Sequence, residues 1–487
     1  KFYYIYLYKK VKKILEELNG IFAFAFYNLS TKKIVLVKDK FGTKPLYYIF
    51  NENLFSFSSD AKCLFEIPNF SKKINKELSL LYLSGMLDEH ISQTMIKDIF
   101  KLEPASYIVY DMSNHIFIKK KKYWVPSNKI SNIIRSKKEL YNDLISVLES
   151  QTNIDRKFAF TLSGGLDSSI IACLLREIYP EKELNSYTLT FEEKSSLNEK
   201  RFSNIVVKKY RLKDHNISIP MNTYFEDISE VNYSSSFPVY GFSNIAQNQI
   251  YKKIHNDGFR IVIDGQGADE VFGGYQGFGG ALMYKNLKNL NLAAFIQNII
   301  YSMKNSNINN RIYLNFLSRF LNKNIHFNLL KYTSKKIPFN FLKNFNSNNK
   351  DLFKLIDDKN FSKSDYFHND ILFFLSNGIQ GLLKSLDSNS MSNSIEARVP
   401  YLDNKIIERY AYLDSSLKVN NKLVFKNFLR DTFKKNLPQE ISGRKDKIGF
   451  AVDDNIILNN NIEKIKSSLR NVDENSFVNT NELLNYL

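Results

Sequence analysis

Two aspartates, Asp167 and Asp269, stand in glycine-rich stretches that each follow a short apolar run. The first lies in Ser163-Gly164-Gly165-Leu166-Asp167-Ser168-Ser169, after the apolar run at 158–162 and before the helically spaced IIACLLREI. A strand, a glycine turn and a helix start aim several backbone N–H groups, and the positive end of the helix, at one point. Glycine lets a phosphate approach the backbone because no Cβ intervenes. A carboxylate at Asp167 could then hold Mg²⁺ against those phosphates. The competing reading is a βα turn that only packs. The second stretch, Asp264-Gly265-Gln266-Gly267-Ala268-Asp269-Glu270-Val-Phe-Gly273-Gly274-Tyr275, follows the apolar RIVI. In an open α/β sheet ligands bind beyond the carboxyl ends of the strands, so the two loops can face one crevice. Asp167 and Asp269 are then the paired carboxylates for a cation.

Two further motifs carry charge in an unusual setting. In Ser394-Ile-Glu396-Ala-Arg398-Val-Pro400-Tyr-Leu-Asp403 the acids and the arginine alternate with apolar residues. That pattern suggests partly buried, paired charges, and a purely structural salt-bridge network is its alternative. In Lys422-Leu-Val-Phe-Lys426-Asn-Phe-Leu-Arg430 the cations are four apart, which predicts one face of a helix and, most simply, a solvated basic stripe.

The elements that must position these residues fall into two blocks. GIFAFAFYN, KIVLVKD, PLYYIF and LFSFSSD read as short strands with turns between them. Residues 75–88 read as a helix, and ASYIVYDM with HIFIKKKKYW as a hairpin. This β-rich block ends near Trp124, and VPSNKISNIIRS has the composition of a linker. From about 137 helices alternate with buried apolar strands at 156–162, 185–191, 215–219 and 260–265, which argues a parallel, doubly wound sheet. After about 280 the chain reads as helical, with low complexity over 303–350.

Composition bounds the function. At 487 residues the chain is too long for one ordinary domain. No run of 18 apolar residues predicts a membrane span. Two cysteines, Cys63 and Cys173, make no disulfide framework and fit a reducing cytoplasm; with six histidines they give no zinc spacing. The net charge of +18 could serve nucleic acid, but the lysines are dispersed and mixed with asparagine, which favours a compositional origin.

SGGLDSS lacks the lysine of a nucleotide P-loop and resembles the pyrophosphatase-loop signature of ATP-dependent adenylating enzymes. SGGLDSS, GQGADEVFGGY, SIEARVPYLD and KLVFKNFLR, in this order, resemble the synthetase domain of class II glutamine-dependent asparagine synthetases. LNGIFAFAFYN, VKDKFGTKPLYY and FSSDAKCLFEI look like the back part of that family's glutaminase domain. The resemblance implies a partial β-rich amidotransferase sandwich at 1–125, a linker at 126–136, and an adenylating parallel-sheet domain with a helical C-terminal part at 137–487. It implies ATP and Mg²⁺. Ser163, Gly164, Gly165, Asp167, Ser168 and Ser169 would hold pyrophosphate, with Asp167 and Asp269 on the metal. Leu162, Leu189, Asp264 and Gly265 would complete the ATP site, and Gln266 and Arg398 would line the substrate crevice. Lys426 would neutralise developing charge, and Glu396 would take a proton from the attacking amine.

The implied reaction is adenylation of a carboxylate, aspartate's in the family, followed by attack of ammonia. Other family patterns act on a different carboxylate, as in β-lactam synthetases and amidotransferases of surface-polysaccharide pathways; an adenylating tRNA-modifying enzyme is a further alternative. Partners are small molecules, with a homodimer compatible and no membrane or nucleic acid expected. Gln266, Ser388 and Ser236-Phe237 depart from the family pattern near the expected crevice. The family's glutaminase nucleophile is an N-terminal cysteine, and its glutamine-gripping motifs precede the strand GIFAFAF; these residues, which start at Lys1, show neither. The chain as given is therefore expected not to hydrolyse glutamine, and its first block to be poorly ordered or covered by a partner chain.

Overall fold

The computed structural model describes residues 12–51, 54–83, 89, 91–126, 135–153, 155–190, 199–220, 223–239, 241–304, 311–320, 366–444, 452–472 and 478–486. Most of the expected linker at 126–136 and much of the low-complexity stretch at 303–350 lie outside these residues.

The first block forms two antiparallel sheets. Strands β1 (Ala23–Asn28), β2 (Lys33–Lys38), β6 (Ser106–Asp111) and β7 (Ile116–Lys122) make one, in the order β1-β2-β6-β7. Strands β3 (Tyr47–Asn51), β4 (Leu54–Ser58) and β5 (Ile99–Lys101) make the other, in the order β4-β3-β5. Leu36, Leu46, Tyr48, Leu102 and Ile108 cluster as part of the block's core. Lys119 to Lys122 lie on the edge strand β7, where Lys120 and Lys122 pair with Glu103 at 3.3 and 3.5 Å. A charged edge discourages pairing with another chain, which gives this basic run a structural use.

The second part of the chain is tied to this block by hydrogen bonds. Gln380 Nε2 donates to the Phe41 carbonyl at 2.7 Å, and Lys44 Nζ to Asp387 Oδ1 at 2.7 Å. The loop that presents Phe41 and Lys44 is held by buried Asp39, whose carboxylate accepts the N–H groups of Phe41, Thr43 and Lys44 at 3.0–3.1 Å. Ser236 and Phe237, expected near the crevice, belong to this junction: Ser236 Oγ donates to Asp60 at 2.6 Å and Phe237 packs on Tyr47.

Glu89 accepts from Lys101 Nζ at 2.7 Å and from Lys384 Nζ at 3.0 Å, tying the block to the helix of Lys384. Burial alone would raise its pKa, but the two ammonium groups outweigh burial and hold it well below the carboxylate range. Glu89→Gln leaves two lysines facing one another and should cost about 2–3 kcal/mol near neutral pH. Because the folded-state pKa is depressed, that stability is present above the unfolded value of about 4.3 and is lost as pH falls towards the folded one. Urea titrations should therefore show the two proteins converging below about pH 4; a difference independent of pH would refute the assignment.

The second part is built on one parallel sheet. Helix α1 (Lys137–Thr152) opens with a capping box between Ser136 and Glu139. There follow β8 (Phe158–Thr161), α2 (Leu166–Ile178), β9 (Asn185–Thr190), α3 (Lys200–Tyr210), β10 (Lys213–Ser218), α4 (Ser243–Asn256), β11 (Ile261–Ile263) and α5 (Ala268–Phe272). Four described helices lie between 277 and 373, then α6 (Gln380–Ser392), β12 (Glu396–Arg398), a 3₁₀ turn (Pro400–Leu402), α7 (Asn404–Tyr410) and α8 (Asn427–Phe433). The strands pair in the order β10-β9-β8-β11-β12, all parallel. Phe158, Ala159 and Phe160, and Ile261, Val262 and Ile263, are buried, as apolar strands covered by helices must be. Chain order reverses between β8 and β11, so the crevice of such a sheet opens between the loops that leave these two strands.

Candidate active site

Both glycine-rich loops leave the sheet at this reversal, and they touch. A Cβ on Gly265 would lie 3.5 Å from Asp167 Cβ and from the Ser168 nitrogen. Gly164 has φ +74°, and a Cβ there would meet the Ser203 nitrogen at 2.5 Å, so the first loop leans on the opening turn of α3 in a conformation only glycine adopts cheaply. Gly165 is the N-cap of α2 and lacks a capping side chain of its own; its N–H instead donates to Ser163 Oγ at 3.2 Å. Ser163 Oγ and Ser168 Oγ are 3.2 Å apart. This loop thus gathers two hydroxyls over the start of a 13-residue helix. Ser169 is fully buried, and its Oγ has no hydrogen-bond partner among the described residues.

Asp264 is buried at the end of β11 and organises the second loop. Its carboxylate accepts from Thr161 Oγ1 at 2.8 Å and from the Gln266 N–H at 3.0 Å. Burial raises its pKa against those two hydrogen bonds. Leu162 is buried, with its N–H donating to the Tyr187 carbonyl, and Leu189 lies near the end of β9, at the same end of the sheet.

The centre of the site is Lys426. Its Nζ lies 2.5 Å from Asp167 Oδ2 and 2.8 Å from Asp269 Oδ1. Burial would strip its proton, but the two carboxylates outweigh burial and raise its pKa, so it is an ammonium at neutral pH. The expected basic stripe is corrected here. Lys426 is the N-cap of α8 with φ +54°, so Lys422 lies outside the helix, and Lys426 is 6% exposed rather than solvated. Gly274 closes the cradle: a Cβ there would fall 1.8 Å from Asp269 Oδ1 and 2.3 Å from Lys426 Cε.

Glu396 and Arg398 are not brought to this cradle. Glu396 pairs with Ile261 at the beginning of β11, the end of the sheet opposite the loops. Its carboxylate accepts from Arg398 Nε at 2.9 Å, and Arg398 also donates to the Gln151 carbonyl near the end of α1. The salt-bridge reading of the motif therefore describes these two side chains, and in this arrangement Glu396 does not reach the cradle as a base; the Arg398 backbone does stand at the loop end, where its carbonyl accepts the Asp264 N–H at 2.9 Å. The motif reaches the site through a residue that its charge pattern does not advertise. Tyr401 is buried and donates its hydroxyl to the Asp167 carbonyl at 3.0 Å. Burial first, then the Asp167 and Asp269 charges, push its phenol pKa well up, so it remains a donor. Leu402 fills the space beside Gly267, where a Cβ would be 2.5 Å from Leu402 Cγ. Ser388 donates within its own helix to the Ser385 carbonyl.

Two carboxylates converge in this cradle on the Lys426 ammonium, and they are the donors on which a divalent cation could be held. Among the described residues no group of three or more His, Cys, Asp or Glu side chains could hold a metal. Magnesium requires fewer, because it is commonly held by one or two carboxylates together with substrate phosphates. No helix among these residues is long and apolar enough to cross a membrane.

Residues 140–487 match the asparagine synthase family, and residues 5–124 match the glutamine amidotransferase domain family. The chain is 29% identical over 277 residues to an asparagine synthetase (glutamine-hydrolysing) of Methanocaldococcus jannaschii, covering 54% of this chain and 50% of that one. A second such protein of that organism is 30% identical over 296 residues, 56% of this chain and 47% of its own. Asparagine synthetase (glutamine-hydrolysing) 1 of Bacillus subtilis is 26% identical over 458 residues, 90% of this chain and 68% of its own. The chain thus spans between about half and two thirds of the length of these relatives.

Proposed function

The chain belongs to the asparagine synthase family, and on that premise we propose that it is an ATP-dependent amide ligase that activates a carboxylate by adenylation and passes it to ammonia. The observation that carries this reading is the Asp167–Lys426–Asp269 cradle between two glycine loops at the chain reversal of a parallel sheet. A carboxylate holds its acyl carbon behind a poor leaving group. Attack of one carboxylate oxygen on the α-phosphorus of ATP forms an acyl-adenylate and breaks the bond to pyrophosphate. The ammonia nitrogen then bonds to the acyl carbon, AMP departs, and a proton is released to solvent.

In this reading the Ser163 and Ser168 hydroxyls and the N-terminus of α2 grip the leaving pyrophosphate. Asp167 and Asp269 would hold magnesium, which when bound neutralises phosphate charge. Lys426 faces the oxygens on which charge develops. Leu162, Leu189 and Gly265 flank the nucleotide at the strand ends, and Gln266 lies where the acceptor enters. Aspartate is the acceptor proposed from the asparagine synthetase relatives, and the amidotransferase match points to glutamine as the source of nitrogen.

Product analysis tests the proposal. With aspartate, Mg²⁺ and ammonium the chain should release AMP and pyrophosphate together with asparagine. ADP and phosphate as products would sink the adenylation chemistry; AMP formation with other carboxylates but not with aspartate would replace the acceptor alone. Running glutamine and ammonium in parallel reads out the nitrogen source.

A further inference from the structure

A second lysine near the site is more deeply buried than Lys426. Lys418 is 1% exposed. Among the described residues no carboxylate lies within ion-pair distance of it, and its Nζ is held by two backbone carbonyls. One is that of Tyr410, the last residue of α7, at 2.9 Å; the other is that of Val271, next to the end of α5. Both are carbonyls of final helical turns, where the helix dipole is negative; the Tyr410 carbonyl also accepts the Leu413 N–H at 3.4 Å. One amine therefore closes two helices at once. Burial pushes its pKa down to about 7, against the pull of the two carbonyls on its N–H bonds.

The position of this knot matters because of what the joined elements carry. α5 contains Asp269, and its C-cap Gly273, at φ +73°, lies against the Lys418 stem, with a Cβ position 3.2 Å from Lys418 Cβ. α7 follows the turn of Tyr401, whose hydroxyl holds the Asp167 carbonyl. Eight residues after Lys418 the chain delivers Lys426. The knot thus connects the supports of all three charged groups of the cradle; among the described residues it makes no hydrogen bond to any of those groups.

We propose that Lys418 is a positioning residue for the metal–nucleotide site: it fixes the end of α5 so that Asp269 and Asp167 face the same cation. The inference rests on the adenylation reading above. Its test is calorimetric titration of the full chain with MgATP, alongside thermal melting without ligand. Lys418→Met, which keeps the bulk and removes the donors, should bind MgATP about tenfold more weakly. Lys418→Gln, which keeps an amide donor one bond short, should lose about threefold. In an Asp269→Asn background the Lys418→Met change should add less than twofold, because the effect travels through Asp269. A variant that melts earlier but binds MgATP as the wild type does would reduce Lys418 to a structural lysine and overturn the proposal, as would a full tenfold loss in the Asp269→Asn background. If Lys418→Met does not fold, the glutamine variant decides by the same two comparisons. A wild-type chain that binds no MgATP would instead overturn the functional reading, and this inference with it.

Discussion

Lys426→Ala lowers the rate of AMP formation by roughly 10²-fold or more, and saturating Mg²⁺ does not restore it. The lysine is buried between two carboxylates, so its removal has two separable effects. Without metal, Asp167 and Asp269 face each other unbalanced, which should cost roughly 3 kcal/mol of stability. Added Mg²⁺ supplies the missing charge and recovers most of that stability. It cannot supply the ammonium where charge develops on phosphate and acyl oxygens. A variant whose rate returns with Mg²⁺ would show that Lys426 only balances the two acids. Its folded-state pKa is raised, so its charge is present at and below neutral pH and is lost only as pH rises through that alkaline value. The wild-type rate should therefore show no limb near neutrality that disappears in Lys426→Ala.

Gly274→Ala should be as damaging to activity with far less chemistry removed. Gly274 does not have positive φ, so alanine there meets no backbone penalty, and the whole effect is steric. The added carbon would fall 1.8 Å from Asp269 Oδ1 and 2.3 Å from Lys426 Cε, and both side chains must swing away. Overpacking of this kind typically costs 1–3 kcal/mol of stability, whereas losing the shared cation position should remove roughly 10²-fold or more of the rate. Gly277→Ala is the control, since its Cβ would reach only Asn315 Nδ2 at 3.4 Å. Equal activity of the two variants, measured as pyrophosphate release, would show that the cradle tolerates a methyl group and is not the reaction centre.

The parts of the fold legible in the sequence were those whose environment is uniform. β8 and β11 are buried on both faces, so FAF and IVI are apolar throughout, and the glycines after them mark where the backbone turns. β12 was not legible: three residues containing Glu396 and Arg398 become a strand only because β11 offers an edge to pair with. That pairing also decides which end of the sheet the charges occupy, which no local pattern encodes. The spacing of Lys422, Lys426 and Arg430 suggested a continuous helix, but a left-handed residue at Lys426 starts the helix later and turns its side chain inward. Tyr401 gave only a weak signal, an aromatic directly after Pro400 in a charged motif. Lys418 gave none, because its partners are main-chain carbonyls, and these have no sequence signature.

The bond between Lys426 and Asp167 closes a loop of 259 residues. Contacts so far apart in sequence come late in folding, since the chain must surrender the entropy of the whole loop before they form. During synthesis the sheet strands β8 to β11 emerge well before the lysine. Until it arrives, Asp167 and Asp269 approach each other as two like charges at the carboxyl edge of a nascent sheet. Metal or nucleotide present at that stage could therefore act on the order of assembly as well as on catalysis. A refolding experiment should show it: Mg²⁺ should speed the appearance of the β8–β11 core more than the docking of α8.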